Sequence, residues 1–327
     1  MELLLGPRTL VHMSNYDVVV VGGGAAGLSA ALVLSRARRK VLVLDAGHPR
    51  NAPAAHMQGF LSRDGMPPSE LLAHGRDEVR GYGGRVVTGA VEGVTACHKG
   101  GFRVMFSGGH QVTTRQLLLA TGLRDELPDI EGLRERWARD VLHCPYCHGH
   151  EVRDQPLGVI GTSSEAVRYA QIVRQWSDDV LFFAPEGMLT ETQRNELVAR
   201  AIGIVEGTVA RVLTTEDRLC GVEMDDDRVI PRDALFVPPR FVPNNDLLVT
   251  LDADLDDNGW VRTDTTGGVT SVAGLWVAGN LGNPRAQVIT AAGEGSAAAI
   301  AMNAVLVDED VATAVQDFHR GAPVSPV

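Results

Sequence analysis

The sequence predicts an α/β protein made of two nucleotide-binding-type folds, the second inserted in the first. Three observations predict it. A glycine-rich turn follows an apolar strand near the N-terminus, a weaker copy of that pattern opens at Leu157, and candidate crossovers after Thr121-Gly122 and around Pro238-Pro239 to Asn245 bracket the copy. The length of 327 residues supports two domains, at about 100–200 residues each. The expected layout is a discontinuous first domain, 15–123 and 244–327, and an inserted domain, 124–243.

Composition removes several alternatives. With 44% apolar and 22% charged residues, the chain does not have the low hydrophobicity of a disordered protein. Four cysteines are too few for a disulfide-stapled scaffold. A net charge of −11 opposes a nucleic-acid-binding surface, which needs a basic stripe. No run of about 18 apolar residues free of charge is present, so no membrane span is expected.

Taken in order, residues 1–14 are expected to form a loose extension. Leu3 to Leu5 is too short for a signal-peptide core and Glu2 stands where a positive charge belongs. A cytoplasmic location follows as an expectation, and Met1 and Met13 both remain possible natural starts. Val18–Val21 is a continuous apolar strand, as in a parallel sheet buried on both faces. Gly22-Gly-Gly-Ala-Ala-Gly27 is the turn, Leu28–Arg36 a helix, and Lys40–Leu44 a second strand ending at Asp45. Together they form a βαβ unit. Gly84–Val94, Gly101–Ser107, Gly207–Leu213 and Leu219–Met224 alternate apolar and polar residues, with an antiparallel character. In the second unit, Leu157–Ile160 is a strand, Gly161–Ala166 the turn, Val167–Gln175 a helix and Val180–Phe183 the next strand. Leu117–Gly122 and Gly274–Gly279 are buried strands ending in small residues. An Ala-rich helix covers 286–305, and the tail after Gly321 is expected to fray.

The first glycine loop carries specific chemistry. Gly22 permits the tight turn, Gly24 lets backbone N–H groups approach a pyrophosphate, and Gly27 lets helix and sheet pack closely. The helix N-terminus adds partial positive charge. Asp45 can accept hydrogen bonds from ribose hydroxyls, and its charge would repel a 2′-phosphate, so FAD or NAD is preferred over NADP. In the second loop, Ser163 stands where Gly24 does, Ala166 where Gly27 does and Ala184 where Asp45 does. The fold is expected to persist with nicotinamide binding lost or weakened, or with NAD(P)H held in another way.

Cys144-Pro-Tyr-Cys147 has three readings: a zinc half-site, a disulfide redox centre, or chance. Zinc would need a second pair, which the isolated Cys97 and Cys220 do not supply, although His148 and His150 keep a metal in play. A redox pair needs a thiolate stabilised by nearby charge or a proton shuttle, and His143, His148 and His150 flank the pair. The redox reading is preferred and no metal site is expected.

A flavin-type glycine loop, an inserted second nucleotide fold and a CxxC within the insert together resemble the low-molecular-weight thioredoxin reductases, over about Tyr16 to Val305. Ala120-Thr-Gly122, Ala278-Gly-Asn280, Arg285–Val288 and Thr290–Gly295 match as well. The resemblance implies two Rossmann-like domains of the three-layer ββα, FAD/NAD(P)-binding class, a homodimer, and bound FAD. The implied FAD contacts are Gly22, Gly24, Ala25, Ala26, Gly27 and Asp45, then Asn51, Thr121 and Gly122. Gly279 and Asn280 add to them, and Gln287 and Val288 complete them near the ribityl chain and the flavin ring.

The departures select a subfamily. Reductases carry an intact second loop followed by arginines, an Asp after the second Cys and Ala-Gly-Asp; this chain has Gly161-Thr-Ser-Ser, His148 and Asn280. His143-Cys-Pro-Tyr-Cys-His-Gly149 resembles the FAD-dependent dithiol oxidases of the gliotoxin and holomycin type. That implies disulfide formation in a small natural-product dithiol, as in antibiotic biosynthesis, with dioxygen as acceptor. Cys144 and Cys147 would be the redox pair and His143 or His148 the base. The alternatives are an NAD(P)H-dependent thioredoxin or disulfide reductase and a non-enzymatic flavin redox sensor.

Overall fold

The computed structural model describes residues 14–98, 100–264 and 268–320. The expected loose N-terminal extension and frayed tail fall outside them, apart from Ser14, which opens a strand. In chain order the elements are β1 (Ser14–Val21), α1 (Ala25–Arg36), β2 (Val41–Asp45), α2 (Pro68–Gly81), β3 (Arg85–Thr88), β4 (Val91–Ala96), β5 (Phe102–Phe106) and β6 (His110–Leu119). There follow β7 (Leu123–Glu126), β8 (Val141–Leu142), α3 (Pro145–His148), β9 (Leu157–Ile160), α4 (Ala166–Val173), β10 (Val180–Ala184), α5 (Glu191–Ala199) and β11 (Gly203–Glu206). The chain continues with β12 (Val209–Thr215), β13 (Arg218–Met224), β14 (Val229–Ile230), β15 (Ala234–Phe236), β16 (Arg240–Pro243), α6 (Asp246–Thr250), β17 (Leu275–Val277) and α7 (Val288–His319).

Two compact units result. The described residues of the first fall within 14–50, 69–123 and 243–320; those of the second fall within 51–68 and 124–242. The segment 51–68, which sequence reasoning left with the first domain, therefore groups with the second unit. Gln58 anchors it there by donating to the Glu151 carboxylate at 3.2 Å.

In the first unit the sheet order is β3-β2-β1-β6-β5-β4, with β17 also paired to β6. The N-terminal half of β6 pairs antiparallel with β5, whereas Leu117–Leu119 pairs parallel with Leu275–Val277. β3 runs parallel to β2, so the antiparallel character expected from Gly84 onwards begins only at β4. A four-residue strand with two half-buried positions carries too little pattern to reveal strand direction. Alternate residues of the central strands enter opposite cores, as the two-residue period of a strand requires. Val18, Val20, Val41 and Val43 pack beneath α1 and α7, while Val19, Val21, Leu42 and Leu44 pack with Val94, Phe102 and Val104 of the β4–β5 hairpin.

The second unit repeats this three-layer plan. Its sheet, β11-β10-β9-β15-β8, is parallel throughout. Val159, Phe182 and Phe236 face α4, and Ile160, Phe183 and Leu235 face the antiparallel β12-β13-β14 sheet. Among the described residues no helix is long and apolar enough to cross a membrane.

α1 begins at Ala25, three residues before the expected start, and α7 continues to His319, well beyond Val305. The extension is held by ion pairs: Arg115 to Glu309 at 2.8 Å and to Asp310 at 2.7 Å, and Arg39 to Asp310 at 2.6 Å. These partners lie far away in sequence, which is why the helical period alone stopped short.

Backbone contact sets the position of α7. A Cβ added at Gly295 would lie 2.0 Å from the Ala26 carbonyl oxygen, whereas one added at Gly293 meets nothing within 4 Å. Alanine gains about 1 kcal/mol of helix propensity over glycine, but overpacking costs about 1–3 kcal/mol, and at Gly295 the obstructing atom is backbone. Gly295→Ala is therefore expected to lower the urea midpoint of unfolding, and Gly293→Ala to leave it unchanged or raise it.

Candidate active site

The first glycine loop forms a cradle in the first unit. Gly22 follows β1 at φ +106°, and a Cβ there would lie 2.3 Å from the Ala120 carbonyl oxygen. A Cβ on Gly27 would lie 2.0 Å from the Gly22 carbonyl oxygen, so the helix starts directly against the turn. Gly24 is the N-cap of α1, and the space a Cβ there would occupy is open. Ala25 and Ala26 make the first turn, which contains no acid and no side-chain cap. α7 starts in the same way, with Gln287 as an extended N-cap, Val288 first in the helix, no side-chain cap and no acid in its first turn. Gly279, at φ +72°, lies between the two helix starts: a Cβ there would be 2.9 Å from the Ala26 Cβ and 3.6 Å from the Ala291 Cβ. Uncapped N–H groups at converging helix N-termini suit a pyrophosphate, and the open space over Gly24 admits one. The residues present thus fit a dinucleotide.

Asp45 sits at the end of β2, mostly buried, and accepts from Gly47 N at 3.1 Å and from Arg76 Nη2 at 3.1 Å. A Cβ on Gly23 would lie 2.4 Å from the Asp45 carboxylate, so the middle glycine of the loop makes room for this acid. Thr121 and Gly122 follow β6. Thr121 Oγ1 donates to the Asn244 carbonyl and Asn244 Nδ2 to the Thr121 carbonyl, both at 2.8 Å, while Asn244 N donates to the Gly122 carbonyl at 3.0 Å. Asn280 Nδ2 donates to the carbonyls of Asn283 and Ala286 at 3.0 Å, closing the turn before α7. Glu294 accepts from Gly279 N at 3.0 Å and from Asn283 Nδ2 at 2.7 Å. Of the implied cofactor residues, Asn51 alone falls in the second unit.

Gly23, Arg76, Asn244 and Glu294 thus support the cradle without having been singled out in the sequence. Gly23 stood in the glycine run, Glu294 in the Thr290–Gly295 match and Asn244 in the crossover ending at Asn245, but nothing local marks Arg76.

In the second unit, Cys144 and Cys147 form a disulfide with a Cα–Cα separation of 5.2 Å. Cys144 is the N-cap of the short helix α3, Pro145 occupies its first position, and the N–H groups of Cys147 and His148 both donate to the Cys144 carbonyl at 3.1 Å. Proline suits that position because its missing N–H would have no helical acceptor. One turn of helix thereby brings both cysteines and His148 together, with His143 just before them. The His143 ring stacks on Tyr169, with centroids 6.3 Å apart and planes at 4°, and meets Phe241 edge-on at 5.1 Å. Among the described residues no group of three or more His, Cys, Asp or Glu could hold a metal.

Burial lowers the pKa of His148, and the nearby Glu151 carboxylate offsets this in part. His148 is thus kept neutral, and able to accept a proton, at neutral pH. Burial also raises the pKa of Tyr169, so its phenol stays protonated.

The second glycine loop differs in shape as well as composition. α4 begins at Ala166, after a turn in which Ala166 N donates to the Ser163 carbonyl, and Glu165 stands at its N-cap. Residues 162–165 are exposed and Ala184, ending β10, is buried. An acid at the N-cap and the absence of an acid at the strand end leave this loop without the features that suit the first one to a dinucleotide.

A family model described as pyridine nucleotide-disulphide oxidoreductase matches residues 16–295. The crystal structure of HlmI is similar with a TM-score of 0.91 and 54% identity, covering 95% of this chain and 99% of that one. The oxidoreductase from Agrobacterium tumefaciens is similar with a TM-score of 0.83 and 34% identity, covering 90% of this chain and 99% of that one. Thioredoxin reductase sirT of Leptosphaeria maculans is 29% identical over 316 residues, 91% of this chain and 97% of its own.

Since the folded-state pKa of His148 lies below the unfolded value, the unfolded chain binds the extra proton first as pH falls. His148 therefore adds nothing against stability above the usual imidazole range and costs stability as pH drops through it. NMR titration is expected to give a midpoint below that of a free imidazole, and Glu151→Gln to lower it further.

Proposed function

The chain belongs to the pyridine nucleotide-disulphide oxidoreductase family, and from that premise we propose that it is an FAD-dependent dithiol oxidase. It closes an intramolecular disulfide in a small natural-product dithiol, with dioxygen as electron acceptor and hydrogen peroxide as product. The observation that carries this reading is a paired Cys144–Cys147 in a unit whose own glycine loop has a late helix start, an acid at the N-cap and no acid at Ala184. A sulfur couple is present, while the site for a nicotinamide donor is the part that has changed. Likeness to HlmI over nearly the whole of both chains supports the same choice.

FAD would be held by the Gly22–Gly27 loop, Asp45, Thr121-Gly122, Gly279-Asn280 and the start of α7 at Gln287-Val288, and when bound it supplies a two-electron acceptor that dioxygen reoxidises. The protein's own sulfurs carry out the exchange. A substrate thiolate attacks Cys144 Sγ; that S–S bond breaks and Cys147 leaves as a thiolate. The second substrate thiolate then attacks the substrate sulfur of the mixed disulfide and expels Cys144. The substrate has lost two electrons and two protons, and both cysteines are reduced. His148, held neutral by burial, or His143, held against Tyr169 and Phe241, takes the substrate proton. A base is needed because a free thiol, with a pKa of about 8.5, is mostly protonated at neutral pH.

We assign homodimerisation to α7. Ile300, Val307, Val311, Val315 and Phe318 are exposed apolar residues on it, and the helical period places them along one stripe. The opposite side carries the buried Met302 and Leu306. Val311→Asp is expected to convert a dimer to a monomer in analytical ultracentrifugation; an unchanged sedimentation coefficient would remove this face from the interface.

The function itself is tested by oxygen uptake with dithiothreitol and no nicotinamide. The wild type is expected to consume oxygen and produce peroxide, and Cys144→Ser to stop uptake while remaining yellow. No uptake, together with rapid flavin bleaching by NADPH under argon, would establish the reductase instead.

A further inference from the structure

Tyr146 lies between the two cysteines, and its side chain is 61% exposed. Its ring meets Trp176 edge-on, with centroids 5.6 Å apart and planes at 86°. Trp176 is half-buried and held by its backbone: its N–H donates to the Val173 carbonyl at 3.0 Å, and its carbonyl accepts from Asp154 N at 2.8 Å. Gly149 makes the approach possible, because a Cβ there would lie 2.6 Å from the Trp176 ring and 2.6 Å from the Pro145 carbonyl oxygen. The pair is therefore set by the fold. An edge-to-face contact with a half-buried partner holds one side of the tyrosine and leaves the rest of a large ring in water, two residues from the sulfur that a substrate would join.

We propose that Tyr146, steadied by Trp176, is a recognition platform for the flat face of an aromatic or heteroaromatic ring carried by the dithiol. This deepens the oxidase reading and rests on it. A dithiol joined to Cys144 is tethered beside Tyr146, and stacking there requires no rearrangement because Trp176 already holds the ring. A flexible aliphatic dithiol reaches the same sulfur without that contact. Tyr146 is a recognition residue and takes no part in the proton or electron transfers.

Two probes separate recognition from chemistry. Dithiothreitol and 1,2-bis(mercaptomethyl)benzene each lose two electrons and two protons to close a six-membered cyclic disulfide, with dioxygen reduced to hydrogen peroxide, and only the second carries an aromatic face. The readout is the ratio of kcat/KM for the aromatic probe to that for dithiothreitol. In Tyr146→Ala and Tyr146→Leu the ratio is expected to fall about two- to tenfold, and in Tyr146→Phe to hold at the wild-type value. A ratio unmoved in Ala and Leu variants that still oxidise dithiothreitol overturns the platform and leaves the oxidase standing. Absence of turnover with dithiothreitol in the wild type overturns the oxidase reading, and the platform with it.

Discussion

The first unit depends on two helices approaching closely enough for backbone to touch backbone. Gly295 of α7 lies against the carbonyl of Ala26, Gly279 against the Ala26 side chain, and Gly27 against the carbonyl of Gly22. Any side chain at these positions would push α7 away from α1 or α1 away from the sheet. Glycine inside a long helix costs helix propensity; here its use converges two helix N-termini, neither with a side-chain cap nor an acid in its first turn. Helix starts of that kind carry the partial positive charge that suits a pyrophosphate. The same packing explains the buried alanines Ala291, Ala298 and Ala299, which keep the contact face of α7 thin.

The second unit uses the same architecture. Its sheet and its two cores parallel those of the first unit, but its glycine turn is longer, and its cysteine pair lies in the segment leading out of β8. That segment is braced from behind by Arg136. This buried guanidinium bonds to Asp140 at 2.8 Å and to the Asp217 carboxylate at 2.8 Å, and Asp140 accepts from Leu219 N at 2.9 Å. Asp140 and the hydrogen-bonded Asp217 favour the charged arginine despite its burial. Asp140, the enclosed partner, is the one whose loss would leave that charge without compensation, whereas Asp217 reaches it from the surface. The turn before β8 is thereby tied to the β12–β13 turn, and the position of the strand that delivers His143 and Cys144 is set by contacts from outside it.

Much of the fold was legible because it rests on local regularities. The apolar runs at Val18–Val21 and Leu157–Ile160, their glycine turns and the following helices announce two βαβ units, since strands buried on both faces leave no polar alternation and a turn of that shape demands glycine. The Cys144–Cys147 spacing likewise fits one helical turn and needs no long-range information. Less legible were the elements whose identity depends on a distant neighbour: the parallel pairing of β3, the reach of α7 to His319 and the grouping of 51–68 with the second unit.

The sequence by itself determined the two strand–turn–helix units, the difference in residue type between their loops, and the presence of a cysteine pair among histidines. Each is written in residues that lie near one another along the chain. Tertiary structure alone decided that Arg76 pairs with Asp45, that Asn244 clasps Thr121, that Glu294 fixes the Gly279 turn and that Trp176 comes up against Tyr146. The physical reason is common to all four. A hydrogen bond or ring contact acts over a few ångströms in space, and folding brings together partners whose separation along the chain carries no periodicity to betray them.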